Sequence, residues 1–92
     1  MALFYFDTGN NVKAEKMLQQ ALEICKNTFG EDHPDYAVSL NNLALFYYNM
    51  GSYSGAETFY LQSLKISKRV LGEMHPVYAT TLNNLAEVYK DV

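Results

Sequence analysis

Residues 30–34 read Gly-Glu-Asp-His-Pro and residues 72–76 read Gly-Glu-Met-His-Pro, and the likeness continues on both sides at the same offset of 42. Laid on itself, residues 2–50 against 44–92, the chain is identical at about 23 of 49 positions. Self-similarity at a fixed period of about 20 to 50 residues marks a stacked array, in which each unit buries its apolar face only against its neighbours. Such a chain offers a surface rather than an enclosed reaction chamber.

The periodicity inside each copy is helical. Between Asp35 and Met50, the residues Tyr36, Leu40, Leu43, Ala44 and Tyr47 fall at i, i+4, i+7, i+8 and i+11, which is one helical face. Pro34 suits the first helical position and Gly51 the left-handed stop. A second helix is expected over Ser52–Leu71, with Ser52 capping its start and Gly72 ending it. Its buried stripe reads Ala56, Tyr60, Ser63, Leu64, Ser67 and Leu71. The earlier copy, Asn11–Phe29, carries Ala14, Leu18, Ala21, Leu22 and Cys25 in the corresponding places. The end of a first helix is expected over Met1–Thr8 and a fifth helix over Val77 to about Lys90, and short turns at Gly9 and Gly51 would make neighbours antiparallel. No segment alternates with period two beside turn chemistry, so blade and sandwich arrays are excluded. The expectation is an all-α fold of antiparallel helix-turn-helix repeats, about 2.2 in number. Residues 1–92 form a single array, divided into a partial first repeat (1–29), a full repeat (30–71) and the first helix of the next (72–92).

Composition narrows the function. A hydrophobic content of 49% with eight tyrosines and five phenylalanines excludes intrinsic disorder. The net charge is −3, and no basic cluster exceeds Lys65, Lys68 and Arg69. Nucleic-acid binding needs a basic face to neutralise phosphates, so that class is excluded. No apolar run approaches the length of about 18 residues needed to span a bilayer, so no membrane partner is expected. The apolar start Met1–Phe6 lacks a basic flank and matches residues 44–48, which makes it repeat material rather than a leader. The single cysteine, Cys25, cannot form an internal disulfide and is replaced by Ser67 one repeat on. It reads as a small helical filler in a reducing, cytoplasmic setting.

The residues that could carry chemistry have plainer roles. His33 and His75 occupy equivalent links one repeat apart, too far for one metal, and suit packing or capping at the helix start before proline. Glu31 and Asp32 sit in a link with no partner base. There is no glycine-rich phosphate loop, serine elbow or paired-histidine zinc motif. The expectation is a noncatalytic protein with neither metal nor cofactor.

Armadillo and HEAT arrays share a period near 40 residues, so the motif decides. The stretch Leu40-Asn41-Asn42-Leu43-Ala44-x-x-Tyr47-x-x-x-Gly51-x-Tyr53-x-x-Ala56-x-x-x-Tyr60 resembles the tetratricopeptide (TPR) pattern, with Leu40 in the slot usually held by Trp. The repeats are longer than the usual 34 residues. With their Leu-Gly-x-x-His-Pro link and Leu-Asn-Asn-Leu-Ala first helix, they are similar to those of the kinesin light chains. The resemblance implies a right-handed solenoid whose first helices line a concave, peptide-binding groove. It also explains Ala44, Ala56 and Ala86 as small residues where paired helices approach.

By the same resemblance the groove positions are Val38, Asn41, Asn42, Leu45, Tyr48 and Asn49 in the middle repeat. Their equivalents are Thr80, Asn83, Asn84, Glu87, Lys90 and Asp91 in the last, and Leu3, Phe6 and Asp7 in the first. Asn42 and Asn84 match the amide that bonds a bound peptide's backbone, a role that needs both a donor and an acceptor; the alternative is that they stitch adjacent repeats. Lys90 alone stands where carboxylate-clamping cations would be, so a C-terminal clamp is not expected, whereas Phe6, Leu45 and Tyr48 offer an apolar strip for an anchor side chain.

Neither end carries the polar capping helix that arrays need, which suggests a piece of a longer protein or one that self-associates through Leu3, Phe4 and Phe6. Two functions follow as expectations: a scaffold binding a peptide segment of a protein partner, or a structural, self-associating segment of a longer solenoid.

Overall fold

A computed structural model describes residues 8–91, with side chains from Asn11 onward. Four helices follow in order: α1 (Thr8–Phe29), α2 (Pro34–Asn49), α3 (Tyr53–Val70) and α4 (Pro76–Asp91). The described residues contain no strand. Each helix packs on its neighbour in sequence, most extensively α2 on α3, and α2 also touches α4. Helix-turn-helix units therefore stack side by side, as the 42-residue period requires.

The glycines set the helix ends. Gly30, Gly51 and Gly72 have φ of 85°, 83° and 89°, the left-handed conformation that closes a helix without a Cβ clash. At Gly51 the N–H of Ser52 reaches back to the carbonyl of Tyr47 (2.8 Å) and that of Gly51 to Tyr48 (3.0 Å), which satisfies two orphan carbonyls of α2. The starts of α2 and α4 are made by proline at the first helical position and by the histidine before it. His33 Nδ1 accepts the N–H of Asp35, and His75 Nδ1 that of Val77, each at 3.1 Å. Capping is thus the structural work of the link histidines.

Three sequence expectations need correction. Gly9 does not form a turn: it lies within the described helix α1, Thr8–Phe29. Ser52 occupies the cap position of α3 but its side chain makes no capping bond; the turn is held by its backbone instead. Ala21, expected in the buried stripe of its helix, is exposed. Ser63, the counterpart of Ala21, is covered by α2; no described helix stands in that place beside Ala21, nor beside Ala86 where α3 covers Ala44. The expected helix over Met1–Thr8 lies, apart from Thr8, outside the described residues.

The core lies in two linked clusters. Ala44, Ala56, Tyr60, Leu85 and Val88 join α2, α3 and α4. Ala37, Leu40 and Ile66 continue it toward Leu22 of α1. Tyr47 and Phe59 stack with ring centroids 5.5 Å apart, and Gly55 leaves room for the Tyr47 ring, which a Cβ there would meet at 3.5 Å. No described helix is long and apolar enough to cross a membrane.

Candidate functional site

The first helices of successive repeats, α2 and α4, flank a cleft of about 370 Å³. From α2 it is lined by Val38, Asn41, Asn42 and Leu45, and from α4 by Pro76, Val77, Thr80 and Asn84. On α2 the residues Val38, Asn42, Leu45 and Asn49 stand at i, i+4, i+7 and i+11; on α4 the same stripe is Thr80, Asn84, Glu87 and Asp91. Each stripe lies on the side of its helix opposite the buried Leu43 or Leu85.

The two asparagines of α2 do different things. Asn41 faces α4, where its Nδ2 donates to Thr81 Oγ1 at 2.9 Å. Thr81 is fully buried, and its hydroxyl in turn donates to the carbonyl of Val77 at 2.8 Å. Asn41, rather than Asn42, therefore bonds α2 to α4. Asn42, one residue on, is exposed at the cleft wall, and Asn84 is half-buried opposite it. Beyond the cleft, Tyr48 donates its hydroxyl to Asp91, a second bridge between α2 and α4. That bond, with burial and the nearby Glu87 adding to it, pushes the Tyr48 phenol up to about 12.

Of the residues expected in the groove, Asn41, Asn42, Leu45 and Asn84 come together in the cleft along with Val38 and Thr80. Pro76 and Val77 join them, although neither was marked in the sequence; their place one turn before Thr80 was the available signal. Tyr48, Asn49, Glu87 and Asp91 extend the two helices past the cleft. Asn83 and Lys90 hold the positions that Asn41 and Tyr48 hold on α2, so they face away from α2 and are exposed. Leu3, Phe4, Phe6 and Asp7 lie outside the described residues.

A network unmarked in the sequence ties the second helices to the first. Tyr47 Oη donates to Glu15 at 2.5 Å and Tyr89 Oη to Glu57 at 2.7 Å, one bond repeated at the 42-residue offset. Its signal was present, since both the tyrosine and the glutamate are identical between copies. The links are similarly paired, Lys26 with Glu31 (3.4 Å) and Lys68 with Glu73 (3.2 Å); as exposed pairs they contribute little to stability. Arg69 also pairs with Asp32, bridging α3 to the link before α2. On this side a smaller cleft of about 220 Å³ lies over Tyr36, Leu40 and Ile66.

Among the described residues no group of three or more His, Cys, Asp or Glu side chains could hold a metal. Cys25 is half-buried, its sulfur 3.3 Å from Ser39 Oγ, the position of a packed filler.

Comparison with known proteins agrees with the geometry. Two tetratricopeptide repeat family profiles match the chain, one over residues 1–48 and the other over 37–77. The crystal structure of BtubC (BKLC) from P. vanneervenii is similar, with a TM-score of 0.80 and 29% sequence identity over 90% of this chain. The match occupies 33% of that chain, so the present sequence spans about a third of its length. No curated protein matches significantly.

Proposed function

Because the chain belongs to the tetratricopeptide repeat family, we propose that it is a noncatalytic scaffold module that holds an extended peptide segment of a protein partner in the cleft between α2 and α4. Tetratricopeptide repeats generally mediate protein–protein interaction. The observation that carries the finer reading is the division of labour between Asn41 and Asn42. Stitching of the repeats is assigned to Asn41, which leaves the exposed Asn42 amide, with Asn84 across from it, free to pair with a main chain. Val38, Leu45 and Val77 supply apolar wall for an anchor side chain, the usual carrier of binding energy. The half-buried single thiol fits a reducing, cytoplasmic setting.

The test is peptide selection from a random display library, followed by titration of the selected peptides against wild type, Asn42→Ala, Asn84→Ala and Leu45→Arg. Folded variants that bind as wild type does would remove the cleft assignment.

A second reading, association of this chain with another copy, is favoured by the outer face of α4. Ala79, Leu82, Ala86 and Tyr89 are exposed there, yet they repeat Ala37, Leu40, Ala44 and Tyr47, which α3 covers on α2. The element in this chain that repeats α3 is α1, and its Ala21 and Ile24 are also exposed. Stacking α1 of one copy on α4 of another would reproduce the α2–α3 contact in trans. Sedimentation over a range of concentrations checks this: association should weaken in Leu82→Glu, and a monomer at every concentration would exclude it.

A further inference from the structure

The stripes that flank the groove differ in charge along their length. On α2 it reads Val38, Asn42, Leu45 and Asn49, with no ionisable group. On α4 it reads Thr80, Asn84, Glu87 and Asp91, so the neutral cleft runs into two carboxylates, both exposed. Neither lysine nor arginine lines the cleft. Lys90, the lysine next to Asp91 in sequence, occupies the register position of Tyr48, on the side of α4 turned away from α2. Glu87 also acts on Tyr48 across the groove, and Asp91 is bonded to it. Both carboxylates therefore belong to the space between the two helices and not to an outer face.

Taking the groove reading above as given, we infer that the peptide this cleft selects carries an apolar anchor for the Val38–Leu45–Val77 wall and a lysine or arginine for the Glu87–Asp91 end. The spacing follows from the helix. At a rise of about 1.5 Å per residue, Glu87 and Asp91 stand about 10 and 16 Å along α4 from Thr80. An extended peptide covers that span in about three to five residues. Acidic segments are disfavoured for the same reason, since a carboxylate placed there meets two like charges and no cation. The groove thus lacks the cationic lining an acidic ligand needs, and the chain's net charge of −3 steers the same way at long range.

The experiment is the display selection, read for charge. Selected peptides should be enriched in Lys or Arg about three to five residues from an apolar anchor, a separation set by the helix rise. Synthetic peptides that keep the anchor but carry Lys, Ser or Glu at that position are then titrated by fluorescence anisotropy. The lysine form should bind about fivefold more tightly than the serine form at low salt, and the difference should shrink as the Debye length falls. In the Glu87→Gln/Asp91→Asn double variant the preference should vanish while the serine peptide binds as before. Acidic enrichment, or a lysine preference that survives in the double variant, would overturn the inference and leave the groove standing. Failure to enrich any peptide, or enriched peptides indifferent to Leu45→Arg, would overturn the groove reading and this inference with it.

Discussion

Asn41 on α2 and Thr81 on α4 are joined at 2.9 Å by a bond from the amide nitrogen to a fully buried hydroxyl, so one repeat is fastened to the next by a polar contact inside an apolar seam. Removing the amide leaves Thr81 its bond to Val77. Asn41→Ala should therefore cost about 1 kcal/mol, the net worth of one hydrogen bond, and not the larger penalty of an orphaned group. Asn42→Ala, on the exposed neighbour, should change stability by less than about 0.5 kcal/mol. Urea unfolding of both variants checks the pair; equal losses would mean that the two amides share the stitching.

Ser63 and Ser67 are both fully buried on α3, with opposite consequences. Ser63 donates to the carbonyl of Ala37 at 2.8 Å, tying α3 to α2. Among the described residues Ser67 Oγ has no hydrogen-bond partner. In the earlier copy the equivalent pair is Cys25 with Ser39, in contact at 3.3 Å. In the later copy Thr81 stands where Ser39 would and turns its hydroxyl to Val77, which leaves Ser67 unmatched. Ser67→Ala should consequently be neutral or stabilising by up to about 1 kcal/mol, whereas Ser63→Ala should destabilise by about 0.5–1.5 kcal/mol. Thermal melts of the two variants side by side separate the cases.

Much of the helical scaffold is legible in the sequence because repetition doubles each signal. Leu40, Leu43, Ala44, Ala56, Tyr60, Ser63 and Ser67 are buried where their periodicity puts them, and Gly51 and Gly72 end helices as their spacing suggests. Illegible were the contacts that depend on a neighbouring layer. Ala21 and Ser63 share a register position, but only Ser63 has a described helix over it. The adjacent amides Asn41 and Asn42 also look alike in sequence, and a turn of about 100° between successive helical residues separates the one facing α4 from the one facing the cleft. Ile66, which lies about 60° round the helix from Ser63 at the margin of the marked stripe, is buried against Ala37 and Leu40 of α2 and was not marked in the sequence.

The capping histidines give a third prediction. Nδ1 of His33 and of His75 accepts the N–H of the residue two places on, which otherwise has no intrahelical partner. His33 also stacks on Phe29 with centroids 4.3 Å apart, so it links the end of α1 to the start of α2. Replacement of His75 by Ala should cost about 0.5–2 kcal/mol, the usual loss of a cap, and His75→Asn should restore most of it. His33→Asn should recover less, because the ring contact with Phe29 is lost as well. Chemical denaturation of the four variants His33→Ala, His33→Asn, His75→Ala and His75→Asn tests this, and equal recovery at both sites would show that the stacking adds nothing.

The tyrosine network makes the fold sensitive to alkali. Tyr47 is held protonated by burial and by its bond to Glu15, and Tyr89 chiefly by its bond to Glu57. Tyr48 is pushed up to about 12 by Asp91, and burial raises Tyr60. Each phenol is therefore raised in the folded state above its ordinary value near 10. The unfolded chain loses these protons first, so the stabilisation is complete below about pH 10 and is lost as pH rises through the raised folded values, about 12 in the case of Tyr48. Stability to urea should fall over that window. Tyr47→Phe should begin less stable by about 1 kcal/mol at neutral pH for the lost bond and then show a shallower alkaline decline. Urea midpoints at neutral pH and across the alkaline window, with tyrosinate absorbance followed in parallel, test both halves. An unchanged slope in Tyr47→Phe would mean that the Glu15 bond does not set the alkaline limit.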